Sequence, residues 1–321
     1  MSYKFIGPFI FFSAVALAGI FLWELRAPAI PAPRPFFAIV PGEGFLSIMD
    51  RLEREGFVRS RTAVKLFGAM TGAAVRIKAG TFALPPDASA PRVLWTLVSG
   101  LAQQIGVRIP EGASLYDVDE ALAARGVLQE GALISFVRAT SSQIEGMLFP
   151  DTYLFFLGSS PQDVVTRMTD NFAEKAGPLL SPDPAHASEH LILASLIEKE
   201  VQSNDDRAMV AGVLKKRVAA GMPLQVDATV CYAKEFAKSK SVPCTPITAL
   251  DLQRESPYNT YLHKGWPPGP IGSVGISAIE AALHPQSSPY WFYLSDPVTK
   301  KTIFSKTLDE HTRNSVQYLN Q

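Results

Sequence analysis

The chain is poor in the residues that most often hold metals or act as nucleophiles: only two of its 321 residues are cysteine and only five are histidine. His186, His190, His263, His284 and His311 show no metal-ligand spacing, and HExxH, GxSxG and Walker-type phosphate loops are absent. A zinc peptidase, a serine hydrolase and a P-loop enzyme are thereby set aside, and neither a metal nor an organic cofactor is expected. An excess of either charge is missing too, with 30 Lys and Arg against 30 Asp and Glu. No basic run or stripe interrupts that balance, so electrostatic binding to nucleic acid is not expected. Charged residues make up 19% of the chain, under the ~25% of an ordinary soluble protein. What remains is acid–base chemistry by carboxylates. The cysteines, Cys231 and Cys244 in "CYAKEFAKSKSVPC", fit no zinc signature; in an oxidising compartment they would close a disulfide, and otherwise they are two thiols.

Apolar residues are plentiful, at 47%. Phe5 to Trp23, "FIGPFIFFSAVALAGIFLW", carries no charge, and about 20 such residues are needed to cross a bilayer as a helix. The run exceeds the ~7–15 residues of a signal-peptide core, although Ala27-Pro28-Ala29 loosely imitates a cleavage site. The expectation is a retained single-span anchor, residues 1–26, in the cytoplasmic (inner) membrane. Lys4 before the run and Arg26 and Arg34 after it leave orientation ambiguous by charge. Large trailing domains translocate regardless of such flanks, so the bulk of the chain is expected outside the cytoplasm. "APAIPAPRP", residues 27–35, reads as an extended Pro/Ala spacer.

Two later segments resemble each other at a separation of seventy residues. Ile39 corresponds to Ile109, Gly42 to Gly112, Phe45 to Leu115, Ile48 to Val118, Leu52 to Leu122 and Gly56 to Gly126. Each reads as a strand, a glycine turn and an amphipathic helix ended by glycine. A second helix follows in each, near Ala63–Met70 and Ala132–Ala139, and "IKAGTFAL" (Ile77–Leu84) reads as a returning strand. This β-α-α-β plan, with "VPGEG" at its first turn, resembles a LysM-type carbohydrate-binding module over 36–105. The second segment, 106–144, reads as a generic small α+β connector. From Glu145 to Gln321 we expect a mixed catalytic domain with a helical wall and a lobe of loops and short strands, among them "YWFYLS" (Tyr290–Ser295). The fold class is α+β.

The wall contains "LILASLIEKEVQSNDDR", Leu191 to Arg207, an apolar run ending in two carboxylates. On a helix, residues two apart point ~200° away from each other, so Glu198 and Glu200 cannot face one substrate. Glu200 shares a face with Leu193, Leu196 and Ile197, where partial burial raises a carboxyl pKa and keeps a general acid protonated. Glu198 shares its own face with Leu191, Ala194 and Val201, so periodicity alone does not choose. Either could be structural and pair with Arg207 or Lys199.

Five blocks in order, "EGMLFPDTY" from Glu145, "ASLIEKE" from Ala194, "GMPLQVDATVCYA" from Gly221, "SPYNTYLHKGWPPGPIGSVG" from Ser256 and "FSKTLDEH" from Phe304, resemble the endolytic murein transglycosylases, the YceG-like family. That resemblance selects Glu200 as the catalytic glutamate. It implies a peptidoglycan lytic transglycosylase that cuts the β-1,4 bond between N-acetylmuramic acid and N-acetylglucosamine and leaves a 1,6-anhydro end, terminating nascent strands. Glycan strands, the membrane and cell-wall synthases are the implied partners. A tethered, non-catalytic peptidoglycan-binding scaffold is the alternative. Gln225, Asp227 and Thr229, alternating along an apparent strand, and Tyr258, Asn259 and Tyr261 are the expected substrate contacts. Glu198, Glu145, Asp151 and Arg207 are the expected structural supports. The chain departs from the family pattern at Val201, where Thr is usual, at Asp227-Ala228-Thr229, at Lys216-Arg217, and in the Cys231–Cys244 loop.

Overall fold

The structure is a computed structural model that describes residues 6–30, 32, 36–40, 42–85, 87–99, 104–201, 203–244 and 247–319, the side chains of 6–11 excepted. The start of the expected anchor and much of the expected spacer, including Arg34, lie outside these residues. Two units form, Met1–Ile105 with Leu154–Ser159, and Gly106–Tyr153 with Ser160–Gln321.

In the first unit, α1 (Ile6–Glu24) is followed by β1 (Phe36–Ile39), α2 (Phe45–Arg54), α3 (Arg61–Met70), β2 (Gly80–Ala83) and α4 (Ala90–Ser99). β1 and β2 pair antiparallel, with Phe37 opposite Phe82 and Ile39 opposite Gly80. The expected β-α-α-β order is present, and α4 is an element the sequence reading did not place. Alternation along β1 turns Phe37 and Ile39 inward, where they meet Ile48, Met49 and Leu52 of α2, Val64 of α3 and Val93, Leu94 and Leu97 of α4. α2 stops where Gly56 takes φ +82°, a conformation costly for a residue with a Cβ. Phe57 then folds back, its N–H donating to the Leu52 carbonyl at 2.8 Å. Leu25, just beyond α1, is buried in this core with Phe21 against it, and Arg59 lies 4.1 Å over the Trp23 ring. Phe12, Val15, Leu17, Ile20 and Leu22 stay exposed along α1. Among the described residues, no helix is long and apolar enough to cross a membrane.

The remaining elements are β3 (Gln104–Arg108), α5 (Leu115–Ala124), α6 (Ala132–Thr140), β4 (Thr152–Phe156), α7 (Pro161–Lys175), α8 (Gly177–Leu180), α9 (Ala187–Glu200), α10 (Asn204–Ala219), α11 (Asp227–Lys238), α12 (Ala249–Leu252), α13 (Ile276–Leu283), β5 (Phe292–Ser295), β6 (Thr302–Ser305) and α14 (Leu308–Leu319). β3 pairs with β4, so the second segment also returns to a strand after its two helices. α9 is the centre of the second unit: every residue from His190 to Ile197 is buried, with α10, α11 and α13 packed around it. Gly212 of α10 permits the closest approach, since a Cβ there would collide with the Gln286 backbone carbonyl. β5 and β6 form an antiparallel hairpin, Tyr293 opposite Phe304, closed by the Asp296 side chain, which accepts from the Val298 N–H at 2.8 Å. The segment Gln225–Thr229, expected as a strand, instead leads into and begins α11. Its β-branched residues are accommodated because Val226, Thr229 and Val230 are buried there.

Candidate functional site

Glu200 is the last residue of α9; Val201 already has extended backbone (φ −122°, ψ 113°) and is 1% exposed. The carboxyl therefore sits at the negative end of the helix dipole, which disfavours its ionised form. Directly beside it α11 begins, and the N–H groups of a first helical turn have no partner within their own helix. One of them, on Ala228, donates to the Glu200 carboxylate. The hairpin supplies the third side. Tyr293 and Ser295, two apart on β5, share a face. The Tyr293 hydroxyl lies 3.5 Å from Oε2 of Glu200, and Ser295 Oγ donates to the Glu200 backbone carbonyl at 3.1 Å.

Burial is the dominant influence on the Glu200 carboxyl, and the neighbouring Asp227 carboxylate adds to it. The Ala228 and Tyr293 hydrogen bonds oppose both, leaving the pKa at about 7. Burial and the nearby Glu200 carboxylate hold the Tyr293 hydroxyl well above its ordinary range, so it stays a donor. Asp227 is exposed at the first position of α11, where its charge suits the helix N-terminus. Tyr261 donates to its Oδ1 at 2.5 Å. Behind the hairpin, buried Arg217 donates to the carbonyls of Trp291 at 2.8 Å and Leu224 at 2.7 Å. Its guanidinium lies 5.1 Å over the Phe292 ring. The arrangement can deliver a proton near neutrality and take one back.

Glu198 is placed quite differently. Its Oε1 accepts from Arg207 at 2.6 Å, with side chains 2% and 6% exposed, and its Oε2 accepts from the Gly275 N–H at 2.9 Å. Burial raises its pKa, the Gly275 and Arg207 contacts lower it, and the Glu111 charge nearby raises it. Gly275 is required here, because a Cβ would run into the Glu111 carboxylate and sit 3.1 Å from Glu198. Glu198 and Arg207 thus tie α9 to α10 and to the start of α13.

The other expected residues divide. Gln225 is exposed at φ +52°, its N–H bonded to the Thr260 carbonyl at 3.1 Å. Thr229 is fully buried and uses its hydroxyl on the Val226 carbonyl (2.6 Å) and Thr260 (2.9 Å). Asn259 is also fully buried; its amide donates to Leu252 and Arg254, and its oxygen accepts from Tyr261 N–H. Both hold the loop that carries Tyr261, so the expected common face of 225, 227 and 229 does not form. Tyr258 lies edge-on to Tyr232 with centroids 4.7 Å apart. Glu145 is half-buried with its carboxyl on the Leu115 N–H (3.1 Å) and the Tyr232 hydroxyl (2.7 Å), its pKa pushed up by desolvation to about 7. Asp151 accepts from Lys175 at 2.7 Å and Asn171 at 3.1 Å. Cys231 and Cys244 form a disulfide, Cα atoms 5.2 Å apart. Among the described residues no cluster could hold a metal ion.

Tyr293, Ser295 and the Ala228 N–H were missed by sequence reasoning. The alternation in "YWFYLS" showed that 293 and 295 share a side, but not that this side faces a glutamate more than ninety positions earlier.

Comparison with known proteins adds an independent finding. A family model described as the YceG-like family matches residues 37–317. The chain is 28% identical over 309 residues to an endolytic murein transglycosylase of Bacillus subtilis, covering 88% of this chain and 84% of that protein. It is 27% identical over 209 residues to an endolytic murein transglycosylase of Streptococcus pneumoniae, covering 63% of this chain and 38% of that longer protein. A crystal structure of a YceG-like protein from Listeria monocytogenes superposes with a TM-score of 0.54 at 29% identity, over 87% of this chain and 98% of the other.

Proposed function

The chain belongs to the YceG-like family, and from that membership we propose that it is an endolytic peptidoglycan lytic transglycosylase with Glu200 as its acid and base. The carrying observation is the Glu200 carboxyl, half-buried at a helix end with a pKa of about 7. Below that value it is protonated and can give its proton to the glycosidic oxygen between N-acetylmuramic acid and N-acetylglucosamine. As the C–O bond breaks, the carboxylate left behind takes the proton of the muramyl 6-hydroxyl. That oxygen closes on the anomeric carbon, so a 1,6-anhydro end forms and no water is consumed.

Asp227 supports a second reading. An exposed carboxylate close enough to raise the Glu200 pKa could orient water instead, as in two-carboxylate hydrolases. Digestion of purified glycan strands and mass spectrometry of the new ends separates the two. Anhydro-muramyl ends are the expected product, and reducing ends would establish hydrolysis.

The site of action in this proposal is beside the cytoplasmic membrane, on its outer face, where cutting nascent strands would terminate them next to cell-wall synthases. The uncharged run Phe5–Trp23 supports an anchor there, as do the apolar side chains exposed along α1. Partition of the full chain into the membrane fraction, resistant to high salt and alkaline carbonate, is the expected outcome. Release by carbonate would refute the anchor.

A further inference from the structure

A cavity in the second unit, not lined by Glu200, holds about 550 Å³, within the ~300–1,000 Å³ of small-molecule sites. Leu115, Ile134, Val137, Met147 and Leu191 give it apolar walls. Tyr116, Tyr232 and Tyr258 form an aromatic side, the Tyr232 ring lying 5.8 Å from Tyr116 and 4.7 Å from Tyr258. Phe236, 44% exposed, extends that side outward. Polar groups are few and differ in character. Glu145, Gln143 and Ser188 line the cavity, and Arg138 is exposed with its guanidinium on the Ser239 hydroxyl at 2.6 Å.

The cavity's distance from the reacting bond can be read along two helices. Leu191 precedes Glu200 by nine positions, ~13 Å along α9 at ~1.5 Å per residue. Tyr232 and Phe236 follow Asp227 by five and nine positions, ~7 to ~13 Å along α11. A short peptide spans that gap: four extended residues reach ~13–14 Å. Peptidoglycan carries such a peptide on the lactyl group of its muramic acid, rich in alanine methyls and ended by a carboxylate.

We propose that this cavity binds the peptide substituent of the muramyl residue at the cleavage site, so that the enzyme selects peptide-bearing strands. The methyl groups occupy the apolar wall, backbone amides lie against the tyrosines and donate to Glu145 and Gln143, and the terminal carboxylate meets Arg138. A bare sugar ring suits the cavity less, because its hydroxyls would face mainly carbon. The inference rests on the transglycosylase reading for its substrate, and the experiment below keeps the two apart.

The test uses the full chain and two substrates: glycan strands with their peptides, and the same strands stripped by an amidase that cuts the muramyl–alanine bond. Wild type is expected to cleave peptide-bearing strands with at least ten-fold higher kcat/KM. Ser188→Trp, at an exposed position at the start of α9, puts an indole into the cavity and should bring the kcat/KM values for the two substrates close to each other. In parallel, binding of both strands to the Glu200→Gln protein is measured, which needs no turnover. A matching affinity ratio, lost on adding Ser188→Trp, supports the cavity even if the cleavage chemistry is of another kind. Equal kcat/KM and equal affinity for the two strands would overturn the proposal. Equal losses on both strands in Ser188→Trp would also overturn it, marking the cavity as a sugar subsite or structural packing. Absence of cleavage by wild type, with the binding ratio intact, would overturn only the transglycosylase reading.

Discussion

Tyr293 presents its hydroxyl to Glu200 at 3.5 Å from a strand that begins 92 positions after the end of α9. The contact gives a side-chain donor to a carboxyl otherwise dominated by burial.

Replacing Glu200 by Gln removes the transferable proton and keeps the shape. Anhydro-product formation should fall by at least ~10³-fold, since in the proposed mechanism this residue serves both proton transfers. Circular dichroism and the melting temperature should stay close to wild type. Full retained activity would refute the assignment.

Two neighbours should move the pH profile in opposite directions. Tyr293→Phe removes a donor that favours the carboxylate, so the Glu200 pKa rises above about 7 and the alkaline limb of kcat moves up. Asp227→Asn removes the like charge that favours the protonated form, so the alkaline limb moves down. Profiles of kcat between pH 5 and 9 provide the check, and shifts of the same sign would contradict this account.

Arg207→Leu leaves the Glu198 carboxylate buried without its cation. Loss of one partner of a buried pair costs ~3–5 kcal/mol, which urea denaturation would register. Arg207→Leu with Glu198→Leu should recover much of that loss, because two apolar residues replace two charges. The recovery would separate a structural tie from a second catalytic acid.

Glu145 makes stability depend on pH in an uncommon direction. Its folded pKa, about 7, stands above the ordinary 4.5, so between those values the folded state holds more protons than the unfolded state. This contribution is full below pH 4.5 and is lost as pH rises through 7. Glu200 and Glu235 carry the same sign, each raised to about 7. The melting temperature should therefore fall between pH 5.5 and 8, and Glu145→Gln should flatten that slope, as scanning calorimetry would show.

The sequence was most informative where structure is local. The uncharged run before Glu198 marked α9, the seventy-residue repeat marked both strand–helix–helix segments, and "YWFYLS" marked β5. Arg207, an expected partner of either glutamate, does pair with Glu198, as α10 begins only four positions after α9 ends. Choosing between the glutamates is beyond periodicity for a physical reason: His190–Ile197 of α9 is buried on every side, so a face argument has no exposed side there to work with. The alternation of Gln225, Asp227 and Thr229 suggests a strand with one shared face, but α11 begins at Asp227 and buries Val226, Thr229 and Val230 instead. Tyr293 and Ser295 illustrate the larger limit. Their partner is set by tertiary fold, which alternation along one strand does not encode.

The span between Glu200 and its hairpin also has a temporal meaning. The residues of α9 are synthesised well before Phe292–Ser305, and non-local contacts wait on the closure of long loops. Until β5 docks, Glu200 has neither the Tyr293 hydroxyl nor the Ser295 clasp on its backbone. On the proposed role of Glu200, a protein able to cut the wall of its own cell would thus be assembled unarmed, its acid completed only when the hairpin docks.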